Sequence, residues 1–151
     1  MRSNLLSILA VLALGLTRSF GHGDVEVGPN GGRILEFSRD ETMHGEVTAK
    51  DGRFHIALLD KAMKPVALAE QTLTATSGDR AKPEKLTVEK EGGHFVIPML
   101  QGGDYWIIFQ FRPTPTARAI TARLHYDAAI CPKCKKGEWL CECQKMDAKK
   151  K

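Results

Sequence analysis

MHGEVTAKDGRFHIALLD, residues 43–60, reads as a hairpin. Asp51-Gly52 stands between two alternating runs, and both central positions of a type I′ turn need positive φ. Glycine adopts that conformation freely and aspartate tolerates it. A two-residue turn here pairs Lys50 with Arg53, Thr48 with His55 and Val47 with Ile56. One face then carries Val47, Ala49, Phe54, Ile56 and Leu58, and the other His44, Glu46, Thr48 and His55. Alternation of this kind predicts a sheet with one buried and one wet side.

The same rhythm continues outward. QTLTATSG (71–78) sets Leu73 and Ala75 against threonines. EKLTVEK (84–90) and HFVIPML (94–100) read as single strands flanking a Gly92-Gly93 turn. DYWIIFQFR (104–112) is apolar on both faces, as a central strand would be. ARAITARLHY (117–126) alternates again. The RPTPT segment (112–116) cannot extend a ladder, because proline has no N–H to donate. Seven or eight strands between Gly32 and Tyr126, with no helical periodicity, predict an all-β fold: an immunoglobulin-like antiparallel β-sandwich with a short C-terminal cysteine knuckle. LQGGDY (100–105) resembles the corner before a core strand of such sandwiches. There a tyrosine hydroxyl bonds back to the backbone, which implies a structural role for Tyr105.

Before this domain lies MRSNLLSILAVLALGLTRSFG, read as a signal peptide over residues 1–21. Arg2 supplies the positive start, Leu5 to Leu16 the apolar run, and Ser19-Phe20-Gly21 the cleavage region. Twelve residues span about 18 Å as a helix, short of a hydrocarbon core of about 30 Å. The alternative is an uncleaved anchor, with Arg18 in its favour, which would be the only membrane attachment. The expected location is periplasmic or secreted, in a bacterial envelope. Loss of Arg2 and Arg18 lowers the net charge from +4 to +2. Residues 22–31 form an N-terminal extension, 32–127 the sandwich, 128–144 the knuckle and 145–151 a basic, disordered tail. Lys145, Lys149, Lys150 and Lys151 in that tail read as solvated charge; an anionic lipid or envelope polymer is the functional alternative. Nucleic acid is not an expected partner.

All four cysteines fall within CPKCKKGEWLCEC, residues 131–143. Cys131 and Cys134 form a CxxC half-site, and Cys141 and Cys143 a CxC one. Zinc accepts four thiolates at about 2.3 Å, so the set suits a tetrahedral ion. Gly137 can supply the reversal between halves, Trp139 can cover the site, and Lys133, Lys135 and Lys136 offset the charge of a tetrathiolate. Two disulfides are the rival reading, since exported thiols are readily oxidised. Their small loops contribute about 2–3 kcal/mol each, against apparent values of about 10–16 kcal/mol for structural zinc. A redox dithiol is the third reading, without the helix start that lowers a cysteine pKa. The metal reading is preferred, with zinc as a structural ion and Cu(I) as the soft-ligand alternative.

Among the five histidines, His44 and His55 share a face but lie about 13 Å apart in the expected register. They, His94 and His125 read as ordinary surface residues. His22 becomes a mature N-terminus if cleavage follows Gly21, and its amine and imidazole together chelate Cu(II). Such a terminus is similar to that of periplasmic copper carriers built on immunoglobulin-like sandwiches.

GHGDVEVGPNGGRILEF (21–37) resembles the GPHGG-R-L stretch near the mature N-terminus of periplasmic adaptors of heavy-metal efflux pumps. It is also similar to small exported bacterial sandwich proteins of unassigned role that share this stretch and a CPxC-type tail. The matching residues are Gly28, Pro29, Gly31, Gly32 and Arg33, while Asn30 replaces the adaptor histidine. The resemblance implies an accessory role in envelope metal homeostasis, with an envelope partner such as a metal efflux system. No serine–histidine–acid set, paired-carboxylate signature or phosphate loop is present, so the chain does not read as an enzyme. The rival function is an envelope structural or interaction module with bridged cysteines; a thiol–disulfide redox protein is the third.

Overall fold

The computed structural model describes residues 25–78 and 81–143. The expected signal segment with His22, and the basic tail, lie outside these residues. Within them run ten strands: β1 (Arg33–Glu36), β2 (Met43–Lys50), β3 (Arg53–Asp60), β4 (Pro65–Val66), β5 (Thr72–Ser77), β6 (Glu84–Leu86), β7 (Glu89–Glu91), β8 (His94–Pro98), β9 (Asp104–Arg112) and β10 (Ile120–Asp127). The β2–β3 hairpin has the register its turn dictates, with Lys50 opposite Arg53 and Val47 opposite Ile56. Asp51 and Gly52 sit at φ of 52° and 72°, the left-handed pair that a type I′ turn needs.

The strands form two antiparallel sheets. The first has the order β1-β2-β3-β8-β7, with β4 paired to β3, and the second β10-β9-β5-β6. Taking β2 as strand A, these are the A-B-E-D and G-F-C-C′ orders of an immunoglobulin-like sandwich. The corner at the start of β9 supports that assignment. The Leu100 N–H donates to the Tyr105 hydroxyl at 3.2 Å, fixing the crossover from β8 to β9.

The core lies between the sheets. Val47, Phe54, Ile56, Ala75, Ile107, Phe109 and Phe111 are fully buried there. Phe37 stacks on Phe111 across the sandwich at 4.7 Å. Its ring occupies the space where a β-carbon on Gly45 would project.

Three details depart from the sequence reading. EKLTVEK is two strands, not one: β6 pairs with β5 in the second sheet and β7 with β8 in the first. The chain changes sheets at Thr87-Val88, with buried Leu86 anchoring the crossing. With this split and the two-residue β4, the count exceeds the seven or eight expected. Strand β9 is central, but only one of its faces is buried. Ile107, Phe109 and Phe111 point inward, while Trp106 remains 50% exposed on the outside.

The third departure concerns the hairpin's wet face. His44 and Glu46 are buried there, Glu46 to 1% exposure: the N-terminal extension folds over Glu46, and His44 lies against Glu36 of β1. Val27 bridges to Arg33, and Gly28 and Gly31 close a turn through a 3.0 Å bond. Gly31, at φ 77°, then lets the Gly28 N–H reach the Gly32 carbonyl at 2.8 Å. This is a three-residue hairpin loop, built on Pro29-Asn30 and closed by a left-handed glycine. No helix among the described residues is long and apolar enough to cross a membrane.

Candidate metal centre

Strand β10 ends at Asp127, and the chain then turns back on itself. Ile130 bridges to Gly137, and the Glu138 N–H donates to the Ala129 carbonyl at 2.7 Å. Inside this loop, the Lys135 N–H donates to the Cys131 carbonyl and the Cys131 N–H to the Lys136 carbonyl, at 2.9 and 2.8 Å. Lys135 closes the turn at a φ of 61°, where glycine is the usual residue. A 3-10 turn, Glu138–Leu140, then carries the chain to Cys141 and Cys143.

The sulfurs of Cys131, Cys134, Cys141 and Cys143 all lie within 4.8 Å of one another. Cys131 Sγ is 3.9 Å from Cys143 Sγ, and Cys134 Sγ is 3.8 Å from Cys141 Sγ. Ligands about 2.3 Å from a tetrahedral zinc stand about 3.8 Å apart, so the spacing fits an ion of that size. A disulfide needs sulfurs about 2.05 Å apart, and the four cysteines are unbridged. Cys131, Cys141 and Cys143 are buried and Cys134 is half-buried. The cluster could therefore hold a metal ion and shield it from solvent.

Backbone amides tune the sulfurs. The Cys134 amide, the Cys141 side chain and the Lys133 amide pull the Cys131 thiol down to about 7. The Cys143 amide pulls on Cys141 in the same way, but the Cys131 side chain and burial push that thiol up to about 12. Burial raises Cys143 as well. The first cysteine of each half-site thus receives an amide from two residues along. At Cys131 the stronger amide is that of Cys134, three residues along.

Trp139 does not cover the sulfurs. It is 8% exposed and packs into the sandwich, edge-on to Phe54 at 6.0 Å and tilted against Tyr126 at 5.4 Å. The sulfurs form their own small cluster beside it. Gly137 is needed less for a reversal than for room, since a β-carbon there would come within 2.9 Å of the indole. Lys133, Lys135 and Lys136 are exposed around the turn, as a charge-compensating role requires.

The histidines are not brought together as a second site. His44 Nδ1 lies 2.9 Å from Glu36, and His125 Nε2 lies 2.7 Å from Asp104. His55 meets His94 edge-on at 6.2 Å, and His94 Nδ1 is 3.0 Å from the Gly92 carbonyl. Among the described residues, the four cysteines are the one group of three or more potential ligands within reach of one ion. His22 is not among them.

The GPNGG segment has a definite role in the fold. Glu46 Oε1 accepts the Asn30 and Gly32 N–H groups at 2.8 and 3.0 Å, and Oε2 accepts Asn30 Nδ2 at 2.7 Å. A β-carbon on Gly28 would come within 2.6 Å of that carboxylate. The sequence reading missed Glu46, since strict alternation put it on a wet face. Its signal was the glycine-rich turn upstream, whose bare amides need an acceptor.

Comparison with protein-family models, with curated proteins and with solved structures finds no match to this chain.

Proposed function

We propose that the chain is an exported, non-enzymatic β-sandwich protein whose C-terminal knuckle binds zinc as a structural ion. The observation that carries this reading is the close approach of four largely buried sulfurs, all within 4.8 Å. A closed set of four thiolates leaves no open position for catalysis, which favours a staple over a reactive metal. The location of Trp139 supports the same reading, because an ion that orders the turn also holds the indole in the core. Export rests on the 1–21 segment. An accessory role in envelope metal homeostasis or efflux rests on the resemblance of residues 28–33.

The test is metal content and thiol count on protein purified without reductant or chelator. One zinc per chain is expected, with thiols that react only after chelation, and Cys131→Ser should abolish the zinc. Copper in its place would convert the staple to a cargo site. Two disulfides and no metal would replace this reading with that of a bridged envelope module.

A further inference from the structure

The outer face of the second sheet carries a feature that the metal centre does not use. Trp106 stands at a central strand position yet is 50% exposed. It is held rigidly: its indole stacks on the His125 ring at 4.5 Å, with the planes 9° apart. His125 is itself anchored to Asp104 at 2.7 Å. The backbone behind the indole is pinned by Ser77, whose hydroxyl donates to the Trp106 carbonyl at 2.8 Å. Strand β5 ends at Ser77, opposite Ile107, and the next residue is Gly78. The indole is therefore covered by an imidazole on one flank and remains half exposed.

Cations frame this platform. Two residues further along, on the same face, Ile108 is paired with Arg123 on β10 and with Thr76 on β5, and Thr76 is paired with Lys85 on β6. Arg123 and Lys85 are both exposed, at opposite ends of a row four strands wide. Three strand spacings set them about 14 Å apart. A protein partner would need an apolar centre, and among the described residues this face offers only Trp106 and a half-buried Ile108 among polar side chains. An open indole face attracts the C–H side of a sugar ring, and a guanidinium pairs with a carboxylate.

We infer that this face binds an acidic polysaccharide, with a sugar ring on Trp106 and uronate carboxylates on Arg123 and Lys85. The site is separate from the cysteines and does not depend on the metal reading.

Calorimetric titration of the full chain with alginate oligomers and with neutral dextran oligomers tests it. Binding to alginate and none to dextran is expected, with alginate shielding the exposed tryptophan from acrylamide. Trp106→Ala should weaken binding about tenfold or more, and Arg123→Ala several-fold. Both positions are exposed, and Arg123→Ala decides alone if the tryptophan variant misfolds. The inference is overturned by no binding to alginate, by equal binding of dextran, or by equal binding of the variants, which would reduce it to adsorption by a basic chain. Equally tight, Trp106-dependent binding of polyglutamate would overturn it in favour of an acidic protein partner.

Discussion

The indole of Trp139 meets the ring of Phe54 edge-on at 6.0 Å, and this contact fastens the cysteine turn to the first sheet. Tyr126, from the second sheet, lies against the same indole at 5.4 Å and against Tyr105 at 5.1 Å. Arg33 Nη1 donates to the Trp139 carbonyl at 3.3 Å. One residue of the knuckle is therefore shared by both sheets. The cysteine turn and this end of the core are packed together.

Trp139→Ala is expected to destabilise the protein by about 3–5 kcal/mol, the range for truncating a buried large aromatic. Urea unfolding followed by circular dichroism measures it. A loss below about 1 kcal/mol would show that the indole is dispensable to the sandwich.

On the proposed metal reading, a chelator should lower the thermal midpoint of the whole sandwich. An ion that binds only the folded state stabilises it by about 2.7 kcal/mol at a hundred times its Kd. Calorimetry with and without chelator reads the shift. An unchanged midpoint would mean that the knuckle melts independently.

Glu46→Ala should cost about 2–4 kcal/mol, because three donors lose a buried acceptor. Glu46→Gln should be milder: one oxygen still serves the two amides, and the Asn30 side chain can turn its own oxygen to the new amide. Exchange of the Gly32 amide should speed up most in the alanine variant. Equal exchange in wild type and alanine variant would contradict the clamp.

In metal-free, reduced protein, Cys131 should alkylate first as pH rises, with a midpoint near 7, and Cys141 last. Peptide mapping after timed iodoacetamide labelling resolves the order. The stability signs are opposite. An unfolded cysteine titrates near about 8.5, so the lowered Cys131 thiol contributes stability that is full above that value. This contribution is lost as pH falls through about 7. The raised Cys141 thiol contributes stability that is full below the unfolded value and lost as pH rises toward about 12. Alkylation of all four thiols with one common midpoint would contradict the amide geometry at Cys131.

Tyr105→Phe should leave the fold intact and cost about 0.5–1.5 kcal/mol, since the Leu100 N–H loses its acceptor. Denaturant unfolding at constant m-value checks it.

Turn chemistry and period-two alternation determined the β2–β3 hairpin, its register and the sandwich class, because both act between residues close in the chain. The spacing 131–134 and 141–143 likewise marked the four sulfurs as a candidate ligand set before any geometry was known. What the sequence could not decide were contacts made across the sandwich. EKLTVEK alternates as one strand, and only the pairing of β6 with β5 and β7 with β8 divides it. Glu46 belongs to a polar face by period, yet the glycine turn at residues 28–32 buries it. Trp139 lies within the cysteine motif, yet its ring goes to Phe54 and Tyr126 rather than to the sulfurs. In each case local pattern specified which way the backbone runs, and the tertiary structure specified what lies opposite. Burial depends on neighbours far apart in sequence, and no local periodicity encodes them.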